Sequence, residues 1–242
     1  MSDTKLSVNI NKVALIRNAR GEGKPDLLKF ARDCESFGAD GITVHPRPDE
    51  RHVRYADVPA LKEIVTTELN VEGNPTDRFM ELVLDVVPHQ CTLVPDDPDA
   101  LTSDQGWDAR KHRDFLSDVI AAMQAKGIRV SIFVDDDPSM MEAAADTGTD
   151  RIELYTGPYA ANYAKERDSA IESYRKTAER ARDLGLEINA GHDLDLNNLH
   201  YFVNTIPYVA EVSIGHALIS DALYYGIENV IQMYQQKLAI SN

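Results

Sequence analysis

Short apolar, β-branched runs alternate with helix-length amphipathic segments along this whole chain, and no other feature restricts its fold so strongly. Runs of this length bounded by turn residues read as strands. They fall at residues 6–10, 41–44, 69–72, 90–94, 129–134, 151–154, 186–190 and 211–214. The stretches between them carry apolar residues three and four apart, as in Phe115, Val119, Ile120 and Met123, a spacing that predicts one shared helix face. Asp137 before Pro138 and Asn74 before Pro75 read as N-caps with a proline in the first turn. Gly38, Gly127, Gly148 and Gly185 read as helix C-caps leading into the next strand. Eight β-then-α units in 242 residues is the size of one (β/α)8 TIM barrel, so residues 1–242 are expected to form a single domain. The rival doubly wound sheet lacks its signature, because no Gly-x-Gly-x-x-Gly turn follows the first strand. The longest irregular pieces are expected at 11–24 and 95–109.

In a barrel the carboxyl ends of the strands share one mouth, and that face carries the chemistry. Those positions read Asn9, His45, Glu72, Val94-Pro95, Asp135, Glu153, His192 and His216. A single buried histidine is more often structural than catalytic. Several histidines and glutamates converging on one rim are harder to explain that way, since buried carboxylates need partners. The run from Gly41 to His52 is the most specific, because a buried strand ends at His45 and Arg47, Arg51 and His52 follow at once. Cationic side chains at a strand end suggest an anionic substrate.

Gly191-His192 and Gly215-His216 follow strands seven and eight, the usual phosphate-binding corner of a barrel. Each glycine either admits a phosphate or merely turns the chain. Asp193 suits a phosphate poorly and is expected to cap a helix at 196–202. Arg17 and Arg20 either fold over the mouth or are solvated. Asp135, Asp136 and Asp137 are adjacent turn residues, and the first strand shows Asn9-Ile-Asn11-Lys12 rather than His-x-His, so no metal is expected.

A net charge of −15 argues against nucleic acid. No run is long and apolar enough to span a membrane, and the amino terminus lacks a signal-peptide core, which places the chain in the cytoplasm. Cys34 and Cys91 sit among apolar neighbours and read as reduced core thiols.

Several segments, in order and spread over the chain, resemble the pyridoxine 5′-phosphate synthase family. They are 8–10, 15–21, 38–52, 93–95, Ile152-Glu153 with Thr156-Gly157 and Tyr159-Ala160, 189–192 and 214–216. The resemblance implies a (β/α)8 barrel with extra helices, assembled as a homo-octamer. It implies condensation of two phosphorylated small molecules, 1-deoxy-D-xylulose 5-phosphate and 3-amino-2-oxopropyl phosphate, without metal or organic cofactor. It further implies His45 and Glu72 as proton acceptors, His192 as proton donor and Glu153 as a stabiliser of charged intermediates. Arg47, His52 and Thr102 fall where the deoxysugar phosphate is bound, and Asn9, Arg20, Gly215 and His216 where the aminoketone phosphate is held. Asn11, Lys12 and Asp193 depart from the commoner pattern of substrate contacts at those positions. Ring formation from an aminoketone and a deoxysugar shuttles a proton at each step, so it calls for several positioned acids and bases.

Two other readings stand beside this one. A Schiff-base aldolase would use Lys12, which sits just past strand one. A non-catalytic phosphometabolite-binding barrel would show saturable binding without turnover. Two separate phosphate pockets are expected to flank the mouth. The 95–109 segment is expected to pack weakly and to act as a lid.

Overall fold

The computed structural model describes residues 4–96 and 103–239. The eight strands are β1 (Lys5–Asn9), β2 (Gly41–Val44), β3 (Glu68–Gly73), β4 (Gln90–Leu93), β5 (Arg129–Val134), β6 (Arg151–Tyr155), β7 (Glu187–Gly191) and β8 (Val209–Ile214). Each pairs in parallel with its sequence neighbours, and β8 returns to β1 with Lys5 opposite Glu211, which closes the barrel.

The helices are α1 (Asn11–Asn18), α2 (Leu27–Ser36), α3 (Asp57–Ile64), α4 (Asp77–Val86), α5 (Ala109–Gln124), α6 (Met141–Asp146), α7 (Gly157–Asp183), α8 (Leu199–Thr205), α9 (His216–Tyr225) and α10 (Ile227–Leu238). They exceed one per strand, so the barrel carries extra helices. The glycines expected as C-caps, Gly38, Gly127, Gly148 and Gly185, all have positive φ.

Strand residues alternate strictly between two environments. Leu6, Val8, Ile42, Val44, Leu69, Val71, Val130 and Ile132 belong to the apolar cluster formed with the helices and are fully buried. Each contributes roughly 1.5–3 kcal/mol by leaving water. Most of the alternate residues are polar, with Phe133 an apolar exception at the mouth. Ser7 and Thr43 hydroxyls lie 2.7 Å apart, Asn70 donates to Thr43 Oγ1 at 3.4 Å, and Thr92 donates to Asn70 Oδ1 at 3.1 Å. This belt crosses four neighbouring strands. Barrels usually fill the interior with branched apolar side chains; here the apolar core lies outside the strands and the lumen is polar.

Below the belt is a charged floor. Glu68 takes hydrogen bonds from Lys5 Nζ, at 2.8 Å, and from Arg129. Arg151 Nη1 donates to Gln90 Oε1 at 3.0 Å and to Asn189 Oδ1 at 3.4 Å, while its Nε reaches Glu187 Oε2 at 2.6 Å.

Four local expectations are corrected. Residues 11–18 form α1 instead of an irregular loop, started by Asn11 N–H bonding to Asn9 Oδ1 at 3.1 Å. Thr76, and not Asn74, caps α4, whereas Asn74 Nδ2 bonds the Asp96 carbonyl at 3.0 Å. The buried face of α5 is Leu116, Val119, Ile120 and Met123, which leaves Phe115 outside it and half-exposed. The helix expected at 196–202 is α8, and Asp195, not Asp193, accepts from the amides of Asn197 and Asn198 before it. Asp137 does cap the following 3-10 turn, accepting from Ser139 N.

Candidate active site

The carboxyl ends of the strands open into a cavity of about 370 Å³ lined by Asn9, Asn11, Lys12, His45, Arg47, Arg51, His52, Glu72, Glu153, His192, Asp193, Gly215 and His216. That volume suits a small ligand.

β2 stops at Val44 because Pro46 and Pro48 bring no N–H to a ladder. The His45 backbone N–H, at the turn, donates instead to Asn11 Oδ1 at 2.9 Å. Asn11 therefore ties α1 to the end of β2. His45 is buried, with Nδ1 4.0 Å from Glu72 Oε2, and Asn9 Nδ2 lies 3.4 Å from the same oxygen. Burial, followed by the charges of Arg47, His52 and Arg51, pushes the His45 imidazole well below its usual value, so it is neutral near pH 7 and has a nitrogen able to accept a proton.

Arg47 Nη2 pairs with Asp96 Oδ2 at 2.6 Å with both side chains buried, and Ser103 Oγ donates to the same oxygen at 2.7 Å. His52 Nδ1 accepts from Val53 N–H at 2.9 Å; burial and the charges of Arg47, Arg51 and Lys12 bring the imidazole down to about 4. The loop holding Arg51 and His52 is latched to the end of α1, where Asn18 Nδ2 donates to the carbonyls of Arg51 and His52 at 3.1 and 2.7 Å. Arg17 adds a two-pronged pair with Asp57 at 2.7 and 2.9 Å. It thus braces the rim and does not reach over it.

On the opposite side, Glu153 rises from β6. Burial raises its carboxyl to about 8, the neighbouring Glu211 adds to the rise, and a hydrogen bond from Thr92 offsets part of it. Burial likewise raises Glu72, with Glu153 as the next contributor. Each carboxyl opposes charge on the other, so both hold their protons more tightly than a free glutamate does. Glu72 has Asn9 and the cationic rim beside it, whereas Glu153 Oε2 has no hydrogen-bond partner among the described residues, so Glu72 is the better placed of the two to give up its proton. A side chain at Gly191 would meet Glu153 Oε1 at 2.4 Å, which is why glycine stands there.

His192 and Asp193 both have positive φ, 84° and 60°, and their side chains bond to each other at 3.2 Å. The turn is held by Thr156, whose hydroxyl donates to the carbonyls of Gly191, at 2.7 Å, and His192. α9 starts at His216 without a side-chain cap, leaving first-turn N–H groups at the mouth. A Cβ on Gly215 would lie 3.1 Å from Asn9 Cβ, so glycine lets β8 close on β1.

Most expected site residues therefore meet in one cavity. The Gly215-His216 side and the Arg47-His52 side open into the same space, in place of two separate pockets. Arg20 is not brought there; its side chain is 81% exposed and lies 3.6 Å from Glu22. Thr102 lies outside the described residues. The end of the 95–109 segment packs well, contrary to expectation: Trp107 is buried and donates from Nε1 to Leu93 O at 3.0 Å, and Gly106 N–H donates to Asp135 Oδ1 at 3.0 Å. Ser103, Phe133 and Ser213 also line the cavity. Ser213 and Phe133 were detectable as inward positions of strands whose opposite faces are apolar. Asp96, which anchors Arg47, gave no sign of that role in a loop rich in aspartate.

Residues 6–240 match the family model described as Pyridoxal phosphate biosynthesis protein PdxJ. The chain is 59% identical over 235 residues to Pyridoxine 5'-phosphate synthase of Cytophaga hutchinsonii, covering 97% of this chain and 99% of that one. It is 56% identical over 237 residues to the protein of that name from Porphyromonas gingivalis, covering 98% and 100%. Among solved structures, 3-Hexulose-6-Phosphate Synthase superposes with a TM-score of 0.66 at 11% identity, covering 98% of this chain and 100% of that one. Thiamine phosphate pyrophosphorylase from Pyrococcus furiosus gives 0.64 at 14%, covering 98% and 96%. At such identities the superpositions establish the barrel fold alone.

Proposed function

The chain belongs to the PdxJ family, the pyridoxine 5′-phosphate synthases, and on that premise we propose that it condenses 1-deoxy-D-xylulose 5-phosphate with 3-amino-2-oxopropyl phosphate, releasing phosphate and water. The observation that carries this reading is the pairing, in one cavity, of two anion-binding walls with a coupled acid–base set between them. One wall is cationic, formed by Arg47, Arg51 and Lys12 with a neutral His52 among them; the other is the start of α9 at Gly215 and His216. Two phosphorylated substrates facing each other across Glu72, Glu153 and His45 is what this layout favours.

The roles follow from the charges. Imine formation between amine and ketone loses water, which needs a proton delivered to the departing hydroxyl; enolisation needs a proton taken from carbon. Neutral His45, and Glu72 once it has given up its own proton, are the acceptors. Protonated Glu153 can donate a hydrogen bond to an oxygen gaining negative charge. His192, held at an unusual backbone angle beside Tyr155, is the donor for the leaving group. In this reading the reaction uses neither metal nor organic cofactor.

The protein acts in the cytoplasm and without nucleic acid or membrane; no helix among the described residues is long and apolar enough to cross a membrane. Self-association, for which we propose an octamer, is supported by exposed Ile16 on α1 and by Leu223, Tyr224 and Tyr225 on α9. The decisive experiment is incubation with both substrates and direct detection of pyridoxine 5′-phosphate. Substrate binding without product would refute the assignment.

A further inference from the structure

Below the mouth the lumen holds a carboxylate that the proposed chemistry does not use. Glu211 on β8 is buried, with 3% of its surface exposed. The strand register puts Glu153, Asn189 and Glu211 in one row, Glu153 opposite Asn189 and Asn189 opposite Glu211. Asn189 Nδ2 and Gln90 Nε2 lie 3.4 and 3.3 Å from Glu211 Oε1, and Arg151 Nη1 lies 3.9 Å from its Oε2. Burial, the largest effect, raises the Glu211 carboxyl, and Arg151 and the hydrogen bond from Gln90 offset part of that rise. We infer that Glu211 is a positioning residue for the active site: its carboxylate, fixed by Arg151, Gln90 and Asn189 one layer below the mouth, keeps the proton on Glu153.

The alternative is that Glu211 merely neutralises Arg151. Geometry speaks against so limited a role, because Arg151 already has Glu187 at 2.6 Å. The unpartnered Glu153 Oε2 also fits a carboxyl that holds its proton without help from a donor. Other titratable and charged groups around Glu153 are Glu72 and Glu68 on β3, His45 after β2, Arg129 on β5, Arg151 and Tyr155 on β6, and Glu187 and His192 on and after β7. Glu68 and Arg129 are engaged with each other at the floor, and Tyr155 and His192 stand at the outer rim. Glu153 opposes charge on Glu72, and by the same repulsion Glu72, when charged, acts on Glu153 in the same direction as Glu211.

The inference gives Glu153 the form required by the proposed reaction, yet its test needs no substrate. Carbon-13 NMR of glutamate labelled at the side-chain carboxyl, with Glu153→Gln to assign the signal, reads the Glu153 titration directly. Glu211→Gln should lower its midpoint by about one pH unit, and the basic limb of the kcat profile should move by the same amount. A cooperative variant of lower Tm with an unmoved Glu153 midpoint would overturn the idea. If Glu211→Gln fails to fold, Asn189→Asp adds a carboxylate to the same row and must raise the midpoint; no rise overturns it equally. A shifted midpoint in a protein that makes no pyridoxine 5′-phosphate would leave this inference standing and remove only the proposed activity.

Discussion

Glu68 and Glu153 are the same side chain in the same lumen, and their surroundings drive them in opposite directions. At the floor, burial alone would raise Glu68, but hydrogen bonds from Lys5 and Arg129 outweigh it and hold the carboxyl at about 2. At the mouth, burial takes Glu153 up to about 8, with Glu211 adding to the rise. The difference is the supply of donors. Charges at the floor are matched, so they hold structure. Those at the mouth are left short of partners, and perturbed groups in a cleft are what acid–base chemistry requires.

The largest test of this contrast is Glu72→Gln, which keeps the shape but cannot accept a proton. Turnover should fall by roughly 10²–10⁴-fold with KM nearly unchanged. A loss confined to KM would make Glu72 a binding residue and erase the distinction at the mouth. Gly191→Ala comes next, because its methyl must displace the Glu153 carboxyl that a Cβ would meet at 2.4 Å. A displacement of that size should lower kcat by about 10²-fold, while Tm moves much less.

Glu68→Gln probes the floor. It should cost about 1–2 kcal/mol at pH 7, discounted for partial exposure, and leave kcat near the parent value. Glu68 has a depressed carboxyl, so its contribution is complete above about 4.5 and is lost as pH falls toward 2. Urea melts of variant and parent should therefore converge over that window. Convergence on the alkaline side instead would show that the floor is not charge-matched.

The last test is the opposite slope at the mouth. The folded chain keeps the Glu153 proton that the unfolded chain releases above about 4.5, so stability should decline as pH rises from there to about 8. Glu153→Gln should flatten part of that decline in the same urea melts. An unchanged slope would assign the proton elsewhere.

The strands and the mouth were legible because most strands end in a residue whose chemistry clashes with the apolar run before it, as Val44 to His45 and Ile152 to Glu153 do. The charged floor was equally open to reading, yet easy to miss. In Glu68-Leu69-Asn70-Val71-Glu72 the apolar residues stand at alternate positions, and that period separates a polar lumen from an apolar outer face. Attention to the apolar members alone shows only buried strands. What no local pattern discloses is pairing across the fold: Arg47 with Asp96, or Asn18 with the carbonyls of Arg51 and His52. Arg20 resembles a phosphate ligand in sequence, but it stands past the end of α1 with its side chain exposed beside Glu22 and is not among the residues lining the cavity.

A lumen lined by hydroxyls, amides and charges also bears on the order in which this barrel folds. It offers little drive for collapse, since each polar group leaving water must first find its partner. The outer strand faces and the helices therefore condense early, and the belt through Ser7, Thr43, Asn70 and Thr92 fastens late. In chevron measurements, Leu69→Ala should slow refolding, while Thr43→Val should leave refolding unchanged and accelerate unfolding. The residues nearest the chemistry would then be the last to reach their native partners and the first to leave them.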